Sequence, residues 1–138
     1  MTTFFCTQCW AEVPELATIC PHCRDDIAAR SSRADYADKL IAALHHPEHT
    51  TPVRAAWILG ERREHKAVNA LCRLARESAD AFVVQSAVEA LGQIGDHQAL
   101  ETARWAASHP SPLVRSKAWR ALHRLSAEEG TKQEAGKP

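Results

Sequence analysis

The sequence predicts an all-α fold: an α-solenoid of about three helix pairs, preceded by a small N-terminal unit of another kind. Three observations carry this. Of the 138 residues, 45% are hydrophobic but only 6% are aromatic. Much of the apolar content is therefore Ala, Leu and Val, a mixture that favours helices over strands. The chain also repeats itself. Ala55-Ala56-Trp57-Ile58-Leu59-Gly60-Glu61 returns 32 residues later as Ala87-Val88-Glu89-Ala90-Leu91-Gly92-Gln93, and Val83-Val84-Gln85-Ser86-Ala87 returns after 31 as Val114-Arg115-Ser116-Lys117-Ala118. Finally, four of the five cysteines crowd into the first 23 residues.

Those four, Cys6, Cys9, Cys20 and Cys23, form two C-x-x-C pairs with ten residues between them. Two intervening residues let both sulfurs of a pair face one ion at about 2.3 Å, with backbone amides donating to the sulfurs. Four thiolates on a divalent ion leave a net charge of about −2, which those amides and Arg24 would soften. Two disulfides are the competing reading; a reducing compartment and the ligand-like spacing argue against them. The N-terminus has no basic segment leading into an apolar core, and no run of 18 apolar residues exists. The expected location is therefore cytoplasmic, with no membrane partner.

Through Cys6-Thr7-Gln8-Cys9 and Cys20-Pro21-His22-Cys23, residues 4 to 26 resemble the short zinc ribbons of bacterial proteins. The resemblance implies one zinc ion, held by the four cysteines, in a unit spanning residues 1–27. Trp10 and Arg24 replace the Gly that usually follows each pair. His22 is left out of the ligand set. Iron in a rubredoxin-like site is the rival metal, but ten residues between pairs is far too short for that fold. With four protein ligands no position stays open, so the site is structural and metal binding supplies its folding free energy.

Residues 28–33 read as a polar linker, and six helices follow across 34–126. The first runs from about Ala34 to His45, capped by Ser32 with Asp35 three residues on, with Tyr36, Leu40, Ile41 and Leu44 as its stripe. Thr51 and Pro52 open the second as N-cap and first-turn proline, and Gly60 lies near its end. The third, about Glu64 to Glu77, turns Ala67, Val68, Leu71 and Leu74 inward. Asp80 begins the fourth, with Val83, Ala87, Ala90, Leu91 and Ile94 inside and Gly95 as its stop. Asp96 caps the fifth, which faces Ala99, Leu100, Ala103 and Ala106 inward. Ser111-Pro112 opens the sixth, with Val114, Ala118, Ala121, Leu122 and Leu125 inside. The polar tail, 127–138, is expected to be disordered.

Helix pairs at a period near 31 cannot bury an apolar face alone, so neighbours must stack. Pro52-Val53-Arg54, Leu59-Gly60, Ala90-Leu91-Gly92 with Ile94-Gly95-Asp96, and Pro112-Leu113-Val114-Arg115 make this unit similar to the short HEAT-like repeat, the kind also found in phycobilisome lyase subunits. The resemblance implies a right-handed stack of HEAT-like pairs and leaves function open, because such arrays host unrelated roles. The Val-Arg pair of that repeat is Val83-Val84 in the middle copy, which removes an inter-repeat arginine there.

Catalysis finds little support. Some HEAT-like proteins bind two irons through His-Glu dipeptides, yet no His precedes Glu in this chain. Cys72 has no partner base placed by any motif and reads as a small buried or half-buried hydrophobe. His45, His46 and His49 cluster where a helix C-terminus favours cations, and His65 and His97 are repeat equivalents, so neither set needs a metal. Trp57 aligns with Glu89 and Trp105 with Arg73, which places both indoles outside the intrarepeat core. They are candidate anchors for a partner, or covers for the adjoining helix pair. Trp119 aligns with Val88 and Ala56 and is expected to close the end of the array; Trp10 is expected to shield the metal knuckle or to seat it on the helices.

Lys plus Arg equals Asp plus Glu, 17 against 17, so bulk charge steers toward neither nucleic acid nor anionic lipid. The sixth helix nevertheless carries Arg115, Lys117, Arg120 and Arg124 with no acid between Leu113 and Ser126. The reading is a non-catalytic scaffold for another protein, with Trp57, Trp105, Arg115 and Arg120 as contact candidates. Its alternatives are a nucleic-acid-binding accessory protein using ribbon and basic helix, and an accessory subunit of a tetrapyrrole lyase-like enzyme.

Overall fold

The structure is a computed structural model that describes residues 3–135, with side chains described through Ala127. Two short strands open the chain, β1 (Phe4–Phe5) and β2 (Glu12–Val13), paired antiparallel with Phe4 opposite Val13. The helices are α1 (Ile27–Arg33), α2 (Tyr36–Ala43), α3 (Thr50–Glu61), α4 (Val68–Glu77), α5 (Ala81–Ile94), α6 (Leu100–Ala106) and α7 (Pro112–Ala135). A single 3-10 turn leads into α4 (His65–Ala67) and another into α6 (His97–Ala99). No described helix is long and apolar enough to cross a membrane.

The helices pair as α2 with α3, α4 with α5 and α6 with α7, and the pairs stack through α3 on α5 on α7. The all-α solenoid expected from the repeat is thus what the chain forms. Its core runs unbroken from Leu40 to Leu125 and is rich in Ala, including Ala55, Ala56, Ala87, Ala90, Ala118 and Ala121. Small residues let the second-layer helices approach closely. A Cβ on Gly60 would press on Ala90 Cα at 2.9 Å, and one on Gly92 would meet Ala121 Cα and Cβ at 2.9 Å. These are one contact made twice, about a repeat apart.

The two ends of α5 follow the cap chemistry. Asp80 accepts from Phe82 N and starts α5; Gly95, at φ 75°, ends it in the left-handed conformation that costs glycine nothing. Five expectations are corrected. Thr51 does not cap α3, which begins at Thr50 behind His49 and has no side-chain cap bond. The linker is helical: Asp26 accepts from Ala29 N and starts α1, while Ser32 gives its hydroxyl to Ala29 O instead of capping the next helix. Asp35 is the cap of α2, in a reciprocal box with Asp38. Tyr36 faces solvent beneath the Arg62 guanidinium, 4.9 Å from its ring centre, rather than joining the core. Finally, α7 continues to Ala135 through Gly130, with no proline between Pro112 and Ala135 to stop it; residues 136–138 of the expected tail lie outside the described residues.

At one end of the array the first-layer helix starts are cross-linked. Lys66 reaches Asp35 at 3.4 Å and also contacts Asp38, and His65 Nδ1 stands 3.1 Å from Asp96 Oδ2. Asp96 accepts from Gln98 N at 3.0 Å, and that bond, then His65, holds its carboxyl below the usual range. A carboxylate depressed in this way stabilises the fold above its unfolded pKa, and the contribution is lost as pH falls through the folded value. Asp96→Ala should therefore cost about 1 kcal/mol at neutral pH, as cap removals do. Urea titrations should show wild type and variant converging in acid; a deficit that persists there would place the effect elsewhere.

Candidate metal centre and partner face

The N-terminal unit has its own core, made of Cys6, Val13 and Cys20 with Ala17 and Ile27 packed beside it. That is too little apolar surface to fold alone. What organises it is a pair of matching turns. Trp10 N donates to Cys6 O at 2.8 Å and Arg24 N to Cys20 O at 3.0 Å; Cys6 N donates to Ala11 O and Cys20 N to Asp25 O. Within the turns Gln8 N donates to Cys6 Sγ and His22 N to Cys20 Sγ, both at 3.4 Å. The two loops are thus the same structure used twice.

They bring the four sulfurs together. Cys6 Sγ lies 3.7 Å from Cys23 Sγ and Cys9 Sγ 3.7 Å from Cys20 Sγ, and all four lie within 4.8 Å of one another. Ligands at about 2.3 Å around a tetrahedral ion stand about 3.8 Å apart. No disulfide joins them. The donor set and its spacing therefore fit one tetrahedral metal ion.

Trp10 and Arg24, which follow the two pairs, sit at φ 60° and 64°. This is the left-handed region, where a side chain costs about 1–2 kcal/mol relative to glycine. The sequence departs from the glycine pattern without departing from its backbone conformation. The four thiols are not electrostatically equivalent. Cys20 falls to about 6, mainly through the Cys23 amide and then that of His22, against burial. The Asp25 amide pulls Cys23 down as well, but burial and the other three sulfurs push it up to about 12. One thiol ionises early and another holds its proton, so a cation must displace protons to bind all four, and binding weakens in acid.

Sequence reasoning missed two residues of this unit. Arg30, on α1, makes a bidentate pair with Asp25 at 2.7 and 2.8 Å. Its own pKa is raised first by Asp25 and further by the field of Cys6 and Cys23. The cation facing the sulfurs thus comes from the segment read as a linker; a basic residue one helical turn past the last acid was the available signal. His46, just past α2, receives the edges of Phe5 and Trp10 at ring-centre separations of 4.8 and 5.4 Å. Trp10 therefore seats the knuckle on the helices, and His46 is the surface it meets.

Trp57 and Arg120 border neighbouring grooves of one helix layer, whereas Trp105 and Arg115 stand apart from them. Trp57, 59% exposed, borders a groove of about 560 Å³ between α3 and α5, floored by Ala90 and walled by Val53 and Ile58. Trp105 belongs to the other layer and is 38% exposed, with Arg76 5.4 Å from its ring centre and His109 against its edge. Arg115 is half-buried and donates to the carbonyls of His109 and Pro110 at 2.8 Å, which ties down the loop before α7. Arg120 is exposed and lines a second groove between α5 and α7. Trp119 is 63% exposed and does not close the array, because α7 is the last described helix and nothing described stacks beyond it. Cys72 is half-buried against the core.

Residues 37–103 and 85–134 match the family model of HEAT repeats. No curated protein matches the chain.

Proposed function

Because the chain belongs to the HEAT-repeat family, whose arrays generally serve as scaffolds for other proteins, we propose that it is a non-catalytic adaptor with a structural zinc site. The observation that carries this reading is Trp57, a large indole held 59% exposed beside an apolar groove on a rigid helical face. Trp is enriched among the residues that dominate protein interfaces. Zinc is the metal that best suits four thiolates in one tetrahedral shell with no open position, which makes the site a folding device. Free thiols at that density suit a reducing compartment, so the cytoplasm is the proposed location.

The groove's one hydroxyl supports a binding role over a chemical one. Ser86 gives its Oγ proton to Phe82 O at 2.8 Å, so it is engaged with its own helix rather than with a base. Trp57→Ala should leave the helical circular dichroism unchanged and weaken capture of any protein that co-purifies with the wild-type chain by about 2 kcal/mol, the scale of an interfacial hot spot. A partner held equally well by the variant would overturn the assignment, and a collapsed fold would move Trp57 into the structural framework.

A further inference from the structure

We infer that the face formed by α3, α5 and α7 takes an acidic peptide segment bearing one apolar anchor side chain. The inference rests on the adaptor reading and names the chemistry of its partner. Glu89 and Gln93 of α5 line both the groove between α3 and α5 and the groove between α5 and α7, so the two are adjacent parts of one face. Its first half is apolar, set by Val53, Trp57, Ile58 and Ala90. Its second half is cationic, set by Lys117, Arg120 and Arg124, which recur at helical spacing along the side of α7 that faces α5.

The charge of this face is net positive once the Lys117–Glu89 ion pair is set aside, although Glu61, bonded only to a neutral amide, keeps its carboxylate charge. Lys117 Nζ lies 3.0 Å from Glu89 Oε1, and Gln93 Nε2 donates to Glu61 Oε1 at 3.4 Å. Among the described residues Arg54, Arg120 and Arg124 make no ion pair, and all three are exposed. A guanidinium offers a planar fork that matches a carboxylate in two parallel hydrogen bonds. Arg54 borders the apolar slot, and Arg120 and Arg124 line the neighbouring groove, so the three forks complement a chain whose anchoring residue enters the slot while its carboxylates lie to either side. The slot, at about 560 Å³, accommodates a side chain. A nucleic acid would bring a phosphate at every step and ask for a longer cationic track than three residues supply.

The test uses the full-length, metal-loaded chain labelled with 15N. The probes are a short Glu/Gly peptide with one central Phe, the same peptide with Lys for every Glu, the same with Ser for Phe, and an oligothymidylate. The Glu/Phe peptide should shift the Trp57 indole signal and the Arg120 and Arg124 signals, and the two peptide controls should bind at least tenfold more weakly. Arg120→Glu combined with Arg124→Glu should reduce binding at least tenfold, and the corresponding Lys variants should lose less. Arg54→Glu, on a different helix, provides the same reading if the α7 variant does not fold. Equal binding of the Lys peptide overturns the inference, and tighter binding of the oligothymidylate through these signals gives the face to nucleic acid. A native partner that needs Trp57 but ignores the charge reversals overturns the acidic chemistry and leaves the adaptor reading standing. Binding of the Glu/Phe peptide that ignores Trp57 overturns both.

Discussion

Replacing Cys20 with Ser is expected to abolish metal binding and to unfold residues 4–26, while the helical array keeps its own melting transition. The separation follows from the two cores. Cys6, Val13 and Cys20 form one, and the residues from Leu40 to Leu125 form the other. Cys20 is fully buried, and its sulfur takes the His22 amide at 3.4 Å while standing 3.7 Å from Cys9 Sγ. A hydroxyl there is a poor ligand for a soft tetrahedral ion. Structural zinc sites contribute about 10–16 kcal/mol in small peptides, far more than three buried side chains provide. Amide exchange should show protection lost in the knuckles and kept in α3, α5 and α7. Loss of the helical transition as well would mean that the Trp10–His46 contact makes the two parts one cooperative unit.

Gly92→Leu is expected to remove most of the array's stability. At this position even a methyl group would stand 2.9 Å from Ala121 Cα and Cβ. The neighbour is backbone on a packed helix, so it cannot swing aside. Gly92 lies in the last turn of α5, two residues before its end, where a side chain has no room against α7. Overpacking by a few atoms costs about 1–3 kcal/mol, and a leucine would force α5 and α7 apart along their whole contact. Against a typical total of about 5–15 kcal/mol, a loss above about 3 kcal/mol is a large share. Urea unfolding would measure it. A midpoint equal to wild type would mean that α5 and α7 are not held by this close approach.

What was legible in the sequence was whatever repeats or ligates. Glycine and alanine recurring after 32 residues gave the helix pairs, because close helix contacts tolerate no other residue types; the Gly60–Ala90 and Gly92–Ala121 contacts are the physical content of that pattern. Asp80 and Gly95 marked helix ends because their chemistry is local. Cys6, Cys9, Cys20 and Cys23 were legible as a ligand set because the C-x-x-C spacing already fixes each pair. Less legible were features set by competition or by tertiary position. Ser32 and Asp35 are both good caps, and the box with Asp38 decided between them. Alignment placed Trp119 with the buried Val88, yet burial at Val88 depends on α7, and α7 has no described successor. Arg115 carries the charge of a contact residue but spends it on two loop carbonyls, a use that sequence alone does not reveal.

Native mass spectrometry of the purified chain, before and after thiol alkylation, tests the four-sulfur centre most directly. One zinc per chain should be bound, with Cys6, Cys9, Cys20 and Cys23 shielded from the reagent until a chelator is added. A metal-free chain lighter by four hydrogens, with its sulfurs already joined in pairs, would contradict the account.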